Sequence, residues 1–457
     1  MQPLPDPLLY ASVLRVRSRV QRRDTWSREQ LLAYQEQALA RLLAHARERS
    51  AFYADRLPTT DPRGLPELPV LTKQTLMAEW DRICTDPGLR LADVEARLLA
   101  EERSAANPGR AWRGRWWLAA TGGTTGRRAA LAWNRREWAQ VLASYARVND
   151  WAGVELDLRH PVRTAVVSSR NPTHQSAAVG ASLRSPLVPA LRLDARTPLP
   201  DLVERLNEFQ PRLLVAYASM VAPLAEEQIA GRLAIRPEKF VAASEVLPAP
   251  ARALAEKAWG AGVVVDSYAA TESASIASTC RHGGWHLYED FVIAEPVDDD
   301  HQLVPAGTTG SRLLVTPLFT RTLPLIRYEL TDTVRLATRA CPCGLPFALL
   351  EAVEGRTEDT LQMAGSAGPV RVHPVVFHTA LEPYAPEGWQ VEQQPDGGLL
   401  VRVVGDRVEA DVIAQRIHAA LAQLGVAEPH IEVAAVAGIE RTALGKAPLV
   451  KGRRPRA

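Results

Sequence analysis

The sequence predicts an α/β fold with a large N-terminal domain of mainly parallel sheets and flanking helices, a β subdomain within it, and a small α+β C-terminal domain. First, short β-branched runs alternate with amphipathic helical stretches from about residue 110, which is typical of βα units around a parallel sheet. Second, strands alternate with turns after about residue 285, as in an antiparallel region. Third, the last block of about a hundred residues mixes helical and strand patterns.

The individual elements follow from the same patterns. Residues 1–90 are predicted to be mainly helical, and Ser27 with Gln30 forms a capping box at the start of a helix over 27–50. The segments that predict the strands and helices of the two domains are 163–169, 212–219, 239–244 and 262–269 for strands, and 200–209, 250–259, 375–381 and 407–424 for helices. We therefore expect an N-terminal domain over 1–355, a β subdomain at about 285–353, and a C-terminal domain over 356–457.

Length, composition and charge narrow the function classes. A chain of 457 residues is too long for a single core, and 46% hydrophobic with 23% charged residues is ordinary for a globular protein. A net charge of +2 argues against a dedicated nucleic-acid partner. No apolar run reaches the roughly 18 residues of a membrane span, and the N-terminus does not resemble a signal peptide. We expect a cytoplasmic enzyme that binds neither nucleic acid nor a membrane.

A glycine- and threonine-rich loop, TGGTTG, follows an apolar run. Its members are Thr121, Gly122, Gly123, Thr124, Thr125 and Gly126. Glycines let backbone N–H groups converge on a phosphate, and threonine hydroxyls add donors. The spacing is not that of a P-loop. Taken alone, the stretch is either a phosphate-binding loop or a flexible turn.

Three further stretches carry polar residues at the ends of predicted strands. In DSYAATES (266–273), Tyr268 could stack on a flat ring, while Thr271 and Glu272 could serve a nucleotide phosphate and its Mg²⁺. The alternative there is a helix cap. Asp332 could accept hydrogen bonds from a ribose diol, or be an ordinary turn aspartate. EGRTED (354–359) contains Arg356 and otherwise reads as a charged linker.

The last motif is RTALGKAPLV (441–450), which contains Lys446. The chain has only five lysines against 49 arginines, so a lysine within a motif is notable for its compact ammonium group. The alternative is an exposed surface lysine.

The order of these motifs resembles that of the adenylate-forming superfamily, which contains the acyl-CoA synthetases and adenylation domains. The closest resemblance is to the phenylacetate–CoA ligase branch, through LPVLTKQTL (68–76), GGWHLYEDFVIAEPVD (283–298) and LPLIRYELTDTVRL (323–336) followed by CPCG. The resemblance covers nearly the whole chain. It implies ATP-dependent activation of a carboxylic acid to an acyl-adenylate with release of pyrophosphate, and transfer to a thiol, commonly that of coenzyme A.

The resemblance also implies roles for single residues. TGGTTG would be the mobile loop over the β- and γ-phosphates, and Lys446 would bridge the substrate carboxylate and the α-phosphate. Glu358 would be the hinge about which a mobile C-terminal domain rotates. The nucleotide itself would be held by Tyr268 against adenine with Ser244, Glu245 and Ser267 around it, Thr271 on the α-phosphate, Glu272 on Mg²⁺, and Asp332 with Arg356 at the ribose.

The substrate is less constrained by the sequence. The acid pocket is expected to include His174, Tyr217, Ala269 and Ala270, which suit an aryl or arylalkyl acid. Ala269 stands where relatives commonly have glycine, and Leu330 where they often have threonine. Other acceptors remain open: a carrier-protein thiol, an amine or a small inorganic nucleophile in a natural-product pathway. A non-catalytic nucleotide-binding protein is a further alternative, and a homodimer is an implication of the family.

Three of the four cysteines, with a nearby histidine, satisfy the ligand count of a closed zinc site. The expected structural ligands are Cys280, His282, Cys341 and Cys343. The alternative is a set of buried thiols without metal. Cys84 lies apart in the sequence and is expected to be inert.

Overall fold

A computed structural model describes residues 6–104, 109–121, 128–155, 161–182, 188–195, 197–356, 361–366, 368–372, 374–381, 388–405, 408–439 and 449–452. The helices within these ranges are α1 (Pro7–Arg23), α2 (Arg28–Arg49), α3 (Ala51–Arg56), α4 (Lys73–Ala78), α5 (Trp80–Ile83), α6 (Leu91–Ser104), α7 (Arg135–Ala152), α8 (Gln175–Ser182), α9 (Leu199–Phe209), α10 (Val221–Ile229), α11 (Ala249–Trp259), α12 (Pro374–Leu381) and α13 (Ala410–Gln423), with 3-10 turns at Pro62–Glu67 and Ala218–Met220.

The strands are β1 (Trp116–Ala120), β2 (Ala130–Asn134), β3 (Thr164–Ser168), β4 (Ala190–Asp194), β5 (Leu213–Tyr217), β6 (Lys239–Ala243), β7 (Val264–Ala270), β8 (Ala274–Thr279), β9 (Trp285–Leu287), β10 (Val292–Val297), β11 (Thr309–Gly310), β12 (Arg312–Pro317), β13 (Tyr328–Leu330), β14 (Asp332–Leu336), β15 (Leu349–Arg356), β16 (Leu361–Gly365), β17 (Gly368–Val372), β18 (Trp389–Gln393), β19 (Leu399–Val404), β20 (Ile431–Val436) and β21 (Val450–Lys451).

A ten-stranded sheet forms the centre, in the order β11-β14-β15-β9-β8-β7-β6-β5-β3-β4. Strands β4, β3, β5, β6 and β7 are parallel, and every pairing from β7 to β11 is antiparallel. The four predicted parallel strands and the helices α9 and α11 are therefore confirmed. All six residues of β8 are buried, as expected of a strand covered on both faces.

Helix α7 lies in the centre of the hydrophobic core of the N-terminal region. Eleven of its 18 residues are buried, which is typical of a helix surrounded by protein. A capping box between Asn134 and Glu137 starts it, and Gly153 with a φ of +81° ends it. At the N-terminus, the predicted capping box of Ser27 and Gln30 starts α2.

Smaller sheets complete the fold. β1 pairs with β2, and β10, β12 and β13 form an antiparallel sheet. Beyond residue 360, β20-β19-β18-β21 form a mixed sheet beside α12 and α13. This last region has a hydrophobic core of its own, built from buried residues between Leu361 and Val450. Among the described residues, no helix is both long and apolar enough to cross a membrane.

Candidate functional site

The carboxyl ends of three neighbouring parallel strands bring several predicted residues to one edge of the sheet. Tyr217, the last residue of β5, stands opposite Ala243 of β6, and Ala243 stands opposite Ser267 of β7. Ligands of open α/β sheets bind at this edge. Ser244 follows β6 with a φ of +68°, a left-handed conformation that is uncommon for a residue with a side chain.

Tyr268 and Asp332 are joined directly. The Tyr268 hydroxyl donates a hydrogen bond of 2.7 Å to Asp332 Oδ2, and Asp332 is 8% exposed. Arg356, the last residue of β15, stands opposite Asp332 in the antiparallel register of β14 and β15. Residues predicted from three separate stretches are therefore linked, Tyr268 to Asp332 by a hydrogen bond and Asp332 to Arg356 by strand pairing.

Thr271 and Glu272 lie in the tight turn between β7 and β8, so no helix begins after β7 and the helix-cap interpretation is wrong. Glu272 is 9% exposed, and its Oε1 accepts a hydrogen bond of 3.1 Å from the Tyr328 hydroxyl. The Thr271 carbonyl accepts a hydrogen bond of 2.9 Å from Gln175 Nε2. Ala269 and Ala270 end β7, where the register with β8 shifts after Tyr268.

The segment before α8 forms a second wall. Tyr217 is 4% exposed, and its hydroxyl accepts a hydrogen bond of 2.9 Å from the Ser169 N–H. Burial raises the pKa of Tyr217 above its ordinary value. The hydrogen bond from Ser169 thus fixes the hydroxyl end of the Tyr217 ring. His174 directly precedes α8. Glu245 Oε2 accepts a hydrogen bond of 2.9 Å from the Ser219 N–H.

The base of the glycine- and threonine-rich loop is tied to this wall. Thr121 exchanges backbone and side-chain hydrogen bonds with Ala129, each of 3.0 Å. Arg128 forms an ion pair with Glu102, which also accepts from Asn171 Nδ2 at 3.1 Å. Burial opposes ionisation of Glu102, yet the hydrogen bonds from Arg128 and Asn171 hold its pKa below the ordinary value. Glu102 therefore links Arg128, at the base of the loop, to Asn171 in the segment before α8.

Three groups of predicted residues lie outside the described residues. They are the loop residues Gly122, Gly123, Thr124, Thr125 and Gly126, the hinge residue Glu358, and Lys446.

A cluster of three thiols and an imidazole lies at the opposite end of β8. The ligand atoms of Cys280, His286, Cys341 and Cys343 all lie within 4.8 Å of one another. The expectation of His282 as the fourth member is wrong, since His282 is exposed in the turn after Cys280. His286 belongs to β9, which pairs with β8 and β15 and so points back toward the same cysteines.

The geometry of the cluster fits a tetrahedral metal. The sulfurs of Cys280 and Cys341 are 3.7 Å apart, and Cys343 Sγ is 3.1 Å from His286 Nε2. Zn–S bonds of about 2.3 Å in a tetrahedron give a sulfur–sulfur edge of about 3.8 Å. Burial lowers the pKa of His286, which keeps the imidazole neutral, and raises the pKa of the Cys343 thiol to about 12. A bound cation is what would hold that sulfur as a thiolate.

Neighbouring backbone groups orient the cluster. His286 Nδ1 is 2.8 Å from the Phe347 carbonyl, an arrangement that turns Nε2 toward the cysteines. The Leu345 N–H donates to Cys343 Sγ at 3.4 Å. Gly284 leaves room for Cys341, because a Cβ there would lie 2.6 Å from the Cys341 sulfur. Cys84 is buried elsewhere, and burial raises its pKa to about 12, consistent with an unreactive thiol.

Known proteins resemble this chain over most of its length. No protein-family model matches the chain. A phenylacetate-coenzyme A ligase of Thermus thermophilus is 26% identical over 382 residues, covering 78% of this chain and 76% of that protein. This similarity confirms the resemblance of the sequence to the phenylacetate–CoA ligase-like branch of the adenylate-forming superfamily.

Solved structures share the fold of this chain. 2-Hydroxyisobutyryl-CoA ligase, in the postadenylation state with 2-HIB-AMP, has a TM-score of 0.70 at 20% identity over 95% of this chain and 92% of its own. The anthranilate CoA ligase AuaEII, in complex with anthranoyl-AMP, has a TM-score of 0.50 at 17% identity over 72% of this chain and 65% of its own. These two likenesses concern the fold alone.

The sequence patterns did not point to three polar residues of this site. Tyr328 lies within the RYELTD stretch, two residues before the end of β13. Its place in that motif was the signal that could have identified it. Gln175 is adjacent to His174, and Glu102 lies on α6, far from the loop that it supports. Neither has a spacing that marks it, because both act across long separations in the chain.

Proposed function

We propose that this protein uses ATP to activate an aryl or arylalkyl carboxylic acid to an acyl-adenylate with release of pyrophosphate, and then transfers the acyl group to coenzyme A. The observation that carries the proposal is the Tyr268–Asp332 hydrogen bond, with Arg356 opposite Asp332 in the neighbouring strand. An aromatic ring and a carboxylate held together at this edge suit an adenine ring and a ribose diol. The similarity to a phenylacetate-coenzyme A ligase supports the same activity.

In this proposal the turn between β7 and β8 serves the phosphates. The Thr271 hydroxyl contacts the α-phosphate, and Glu272 holds Mg²⁺, which when bound offsets the negative charge of the phosphates. Glu272 fits this role because its carboxylate is nearly buried and is oriented by the Tyr328 hydroxyl. Ser244, Glu245 and Ser267 line the nucleotide pocket beside Tyr268.

The acid would lie between β5, the segment before α8 and the end of β7. His174, Tyr217, Ala269 and Ala270 form this pocket in the proposal. The Tyr217 hydroxyl is already engaged by Ser169, so its ring offers an apolar face to the substrate. Small alanines leave room for a flat ring, which is why an aryl or arylalkyl acid is preferred to a long chain.

The remaining steps involve the loop after β1 and the C-terminal region, where Gly122 to Gly126, Glu358 and Lys446 lie outside the described ranges. Thr121 to Gly126 would grip the leaving pyrophosphate, from a base held by Thr121 and Ala129. Lys446 would stabilise the negative charge that develops between the carboxylate and the α-phosphate. The domain over 356–457, which has its own core, would rotate about Glu358 between the two half-reactions.

We also propose that Cys280, His286, Cys341 and Cys343 hold one structural Zn²⁺. With four protein ligands the site is closed, so it stabilises the fold and takes no part in the reaction. Metal analysis of the purified protein is expected to find about one zinc per chain. His286→Ala is expected to lose most of it, whereas His282→Ala, the matched control, is expected to keep it. Well under one equivalent in the unmodified protein would overturn the proposal.

The test of the activity is acid-dependent ATP–pyrophosphate exchange with benzoic, phenylacetic and cinnamic acids. Exchange is expected with at least one acid, and a CoA thioester is expected by mass when CoA is added. Glu272→Gln should reduce exchange by about 100-fold or more, because a lost metal contact is worth several kcal/mol. Glu351→Gln, on an exposed side chain, is the matched control. No exchange with any acid would refute the adenylation.

The second half-reaction is tested separately. If exchange occurs without thioester formation, the acceptor is not CoA. Mass analysis with a carrier protein, an amine or a small inorganic nucleophile then identifies another acceptor.

A further inference from the structure

The turn that carries Thr271 and Glu272 is strained. Ala274, at its end, has a φ of +62° and is 1% exposed. A non-glycine residue in the left-handed region costs about 1 kcal/mol or more, and such a conformation persists only when its surroundings fix it. The turn therefore requires support from the protein around it.

Helix α7 supplies that support at both ends of the turn. Ser144, fully buried on α7, accepts a long hydrogen bond of 3.4 Å from the Ser275 N–H. At the other end, the Tyr145 hydroxyl donates a hydrogen bond of 2.8 Å to Gln175 Oε1. Gln175 Nε2 in turn donates a hydrogen bond of 2.9 Å to the Thr271 carbonyl. Adjacent residues of one helix thus hold both ends of a strained turn, one directly and one through Gln175.

The orientation of the Gln175 amide is determined by its partners. A backbone carbonyl only accepts hydrogen bonds, so the NH₂ group of Gln175 must face Thr271 and its oxygen must face Tyr145. Gln175 is 2% exposed, and a missing partner in such a place would leave a buried polar group unpaired. The contact therefore fixes the Thr271–Glu272 peptide, and with it the direction of both side chains.

We propose that Gln175, held by Tyr145, is a positioning residue for the adenylation step, and that it acts by fixing the Thr271 carbonyl. This inference rests on the proposed function of the same site. It assigns Gln175 to the chemical step and not to acid binding, although Gln175 is adjacent to His174. A misplacement of reacting groups by about 1 Å is enough to cost about 100-fold in rate.

The decisive variant is Gln175→Glu, which keeps the shape of the side chain. The ionised carboxylate accepts from Tyr145 but has no proton for the Thr271 carbonyl, whereas the protonated acid matches the amide in both positions. At pH 8.5, kcat for ATP–pyrophosphate exchange should fall roughly 10- to 100-fold, with KM for the acid within about twofold. The ratio of variant to unmodified kcat should rise as the pH is lowered toward 6.

The charged and titratable groups around the introduced carboxylate come from each neighbouring element. Tyr145 on α7 contacts Gln175 directly. His174 is its neighbour in the chain, Glu272 follows Thr271 in the turn, and Arg192 on β4 donates to the carbonyls of Ser176 and Ala177, the next two residues. Glu272 and His174 are present in both proteins, so the unmodified protein serves as the reference at every pH.

Two further variants separate positioning from folding. Tyr145→Phe removes the anchor of the amide and is expected to lower kcat about 10-fold, again without a change in the KM for the acid. The matched controls are Gln35→Glu, since Gln35 Nε2 also donates to a backbone carbonyl, and Tyr53→Phe, since Tyr53 is a buried tyrosine that donates to the Pro324 carbonyl. Both controls lie far from the turn in the sequence and should leave kcat and its pH profile unchanged.

The outcomes are distinct. If Gln175→Glu raises the KM for the acid at an unchanged kcat, Gln175 contacts the acid and the positioning role is wrong. If kcat falls equally at all pH values, or if Gln35→Glu shows the same profile, the effect is merely structural and the inference fails. An unmodified protein without any exchange refutes the proposed function instead.

Discussion

The buried guanidinium of Arg147 gives the most quantitative prediction. Arg147 and Asp290 both have fully buried side chains and share hydrogen bonds of 2.6 and 2.9 Å, and Arg23 donates to the same carboxylate at 3.1 Å. Asp290→Asn leaves both guanidinium groups without their common counter-charge. Breaking a buried ion pair from one side costs about 3–5 kcal/mol, and we expect a loss of that size in the free energy of unfolding at pH 7.

Asp24 provides a matched control on the same guanidinium. Its Oδ1 is 3.3 Å from Arg147, and its Oδ2 accepts from the Trp151 indole N–H. Burial raises the pKa of Asp24 from 3.8 to about 6, even though Arg147 opposes the shift. At about 1.4 kcal/mol per pKa unit, ionised Asp24 costs up to about 3 kcal/mol of stability.

The two carboxylates therefore differ in the sign of their pH dependence. The pKa of Asp290 lies below its ordinary value, because the attraction of Arg147 and Arg23 outweighs the cost of burial. The stability that ionised Asp290 contributes is therefore present above the unfolded-state pKa and is lost as the pH falls. The stability that protonated Asp24 contributes is fully present below pH 3.8 and is lost as the pH rises through about 6. Asp24→Asn should therefore be more stable than the unmodified protein above pH 6, by at most about 3 kcal/mol.

Urea unfolding at intervals between pH 4.5 and 8.5, followed by tryptophan fluorescence, measures both effects. The stability difference between Asp24→Asn and the unmodified protein should grow toward alkaline pH. Asp290→Asn should be the less stable variant throughout. Equal losses for the two variants, or a loss for Asp24→Asn that grows with pH, would refute the assignment of Asp290 as the partner that neutralises Arg147.

Three further predictions concern single contacts. Tyr268→Phe removes the 2.7 Å hydrogen bond to Asp332 and should raise the KM for ATP about 10-fold in exchange assays, since hydrogen bonds to charged groups are worth about 1.5–3 kcal/mol; an unchanged KM would contradict this. Gly284→Ala places a methyl group 2.6 Å from the Cys341 sulfur and should weaken zinc retention against a chelator by about 10-fold or more, so equal retention would count against the site. Glu137→Gln replaces a buried carboxylate that accepts from four groups, including the N–H groups of Thr322 and Arg321, and should lower the urea midpoint by the equivalent of about 2–3 kcal/mol.

Each of these has a matched control. Gly438→Ala adds a methyl group with no heavy atom within 4 Å and should leave zinc retention unchanged. Tyr53→Phe should leave the KM for ATP unchanged. Glu256→Gln, on a partly exposed side chain of α11, should leave the urea midpoint unchanged.

The grouping of Tyr268 with Asp332 could be predicted in part from the sequence, because both residues lie near strand ends. Tyr268 lies two residues before the end of β7 and Asp332 begins β14, and side chains near strand ends at one sheet edge meet in space. The parallel strands β3, β5, β6 and β7 were predictable for the same reason, since their β-branched runs alternate with amphipathic helices. The tyrosine–aspartate contact itself needed the fold, because the two residues are 64 positions apart.

The fourth member of the cysteine cluster shows where proximity in sequence misleads. His282 is two residues from Cys280, but the turn at Gly283 leaves it exposed. His286 is farther along the chain and enters the cluster only because β9 folds back beside β8. The role of Gln175 could not be predicted from the sequence for a related reason. Its partners lie on α7 and in the β7–β8 turn, and no local sequence pattern links them.

Strand β8 has a consequence for how this protein can be studied. Its six buried residues separate Glu272, at one end, from Cys280, at the other, by about 20 Å at 3.3 Å per residue. A cobalt ion exchanged into the thiol cluster would therefore act as a coloured marker of an intact central sheet without touching the reacting groups. Loss of ATP–pyrophosphate exchange with an unchanged cobalt spectrum would then indicate a local defect around Glu272, whereas loss of both would indicate that the sheet itself had opened.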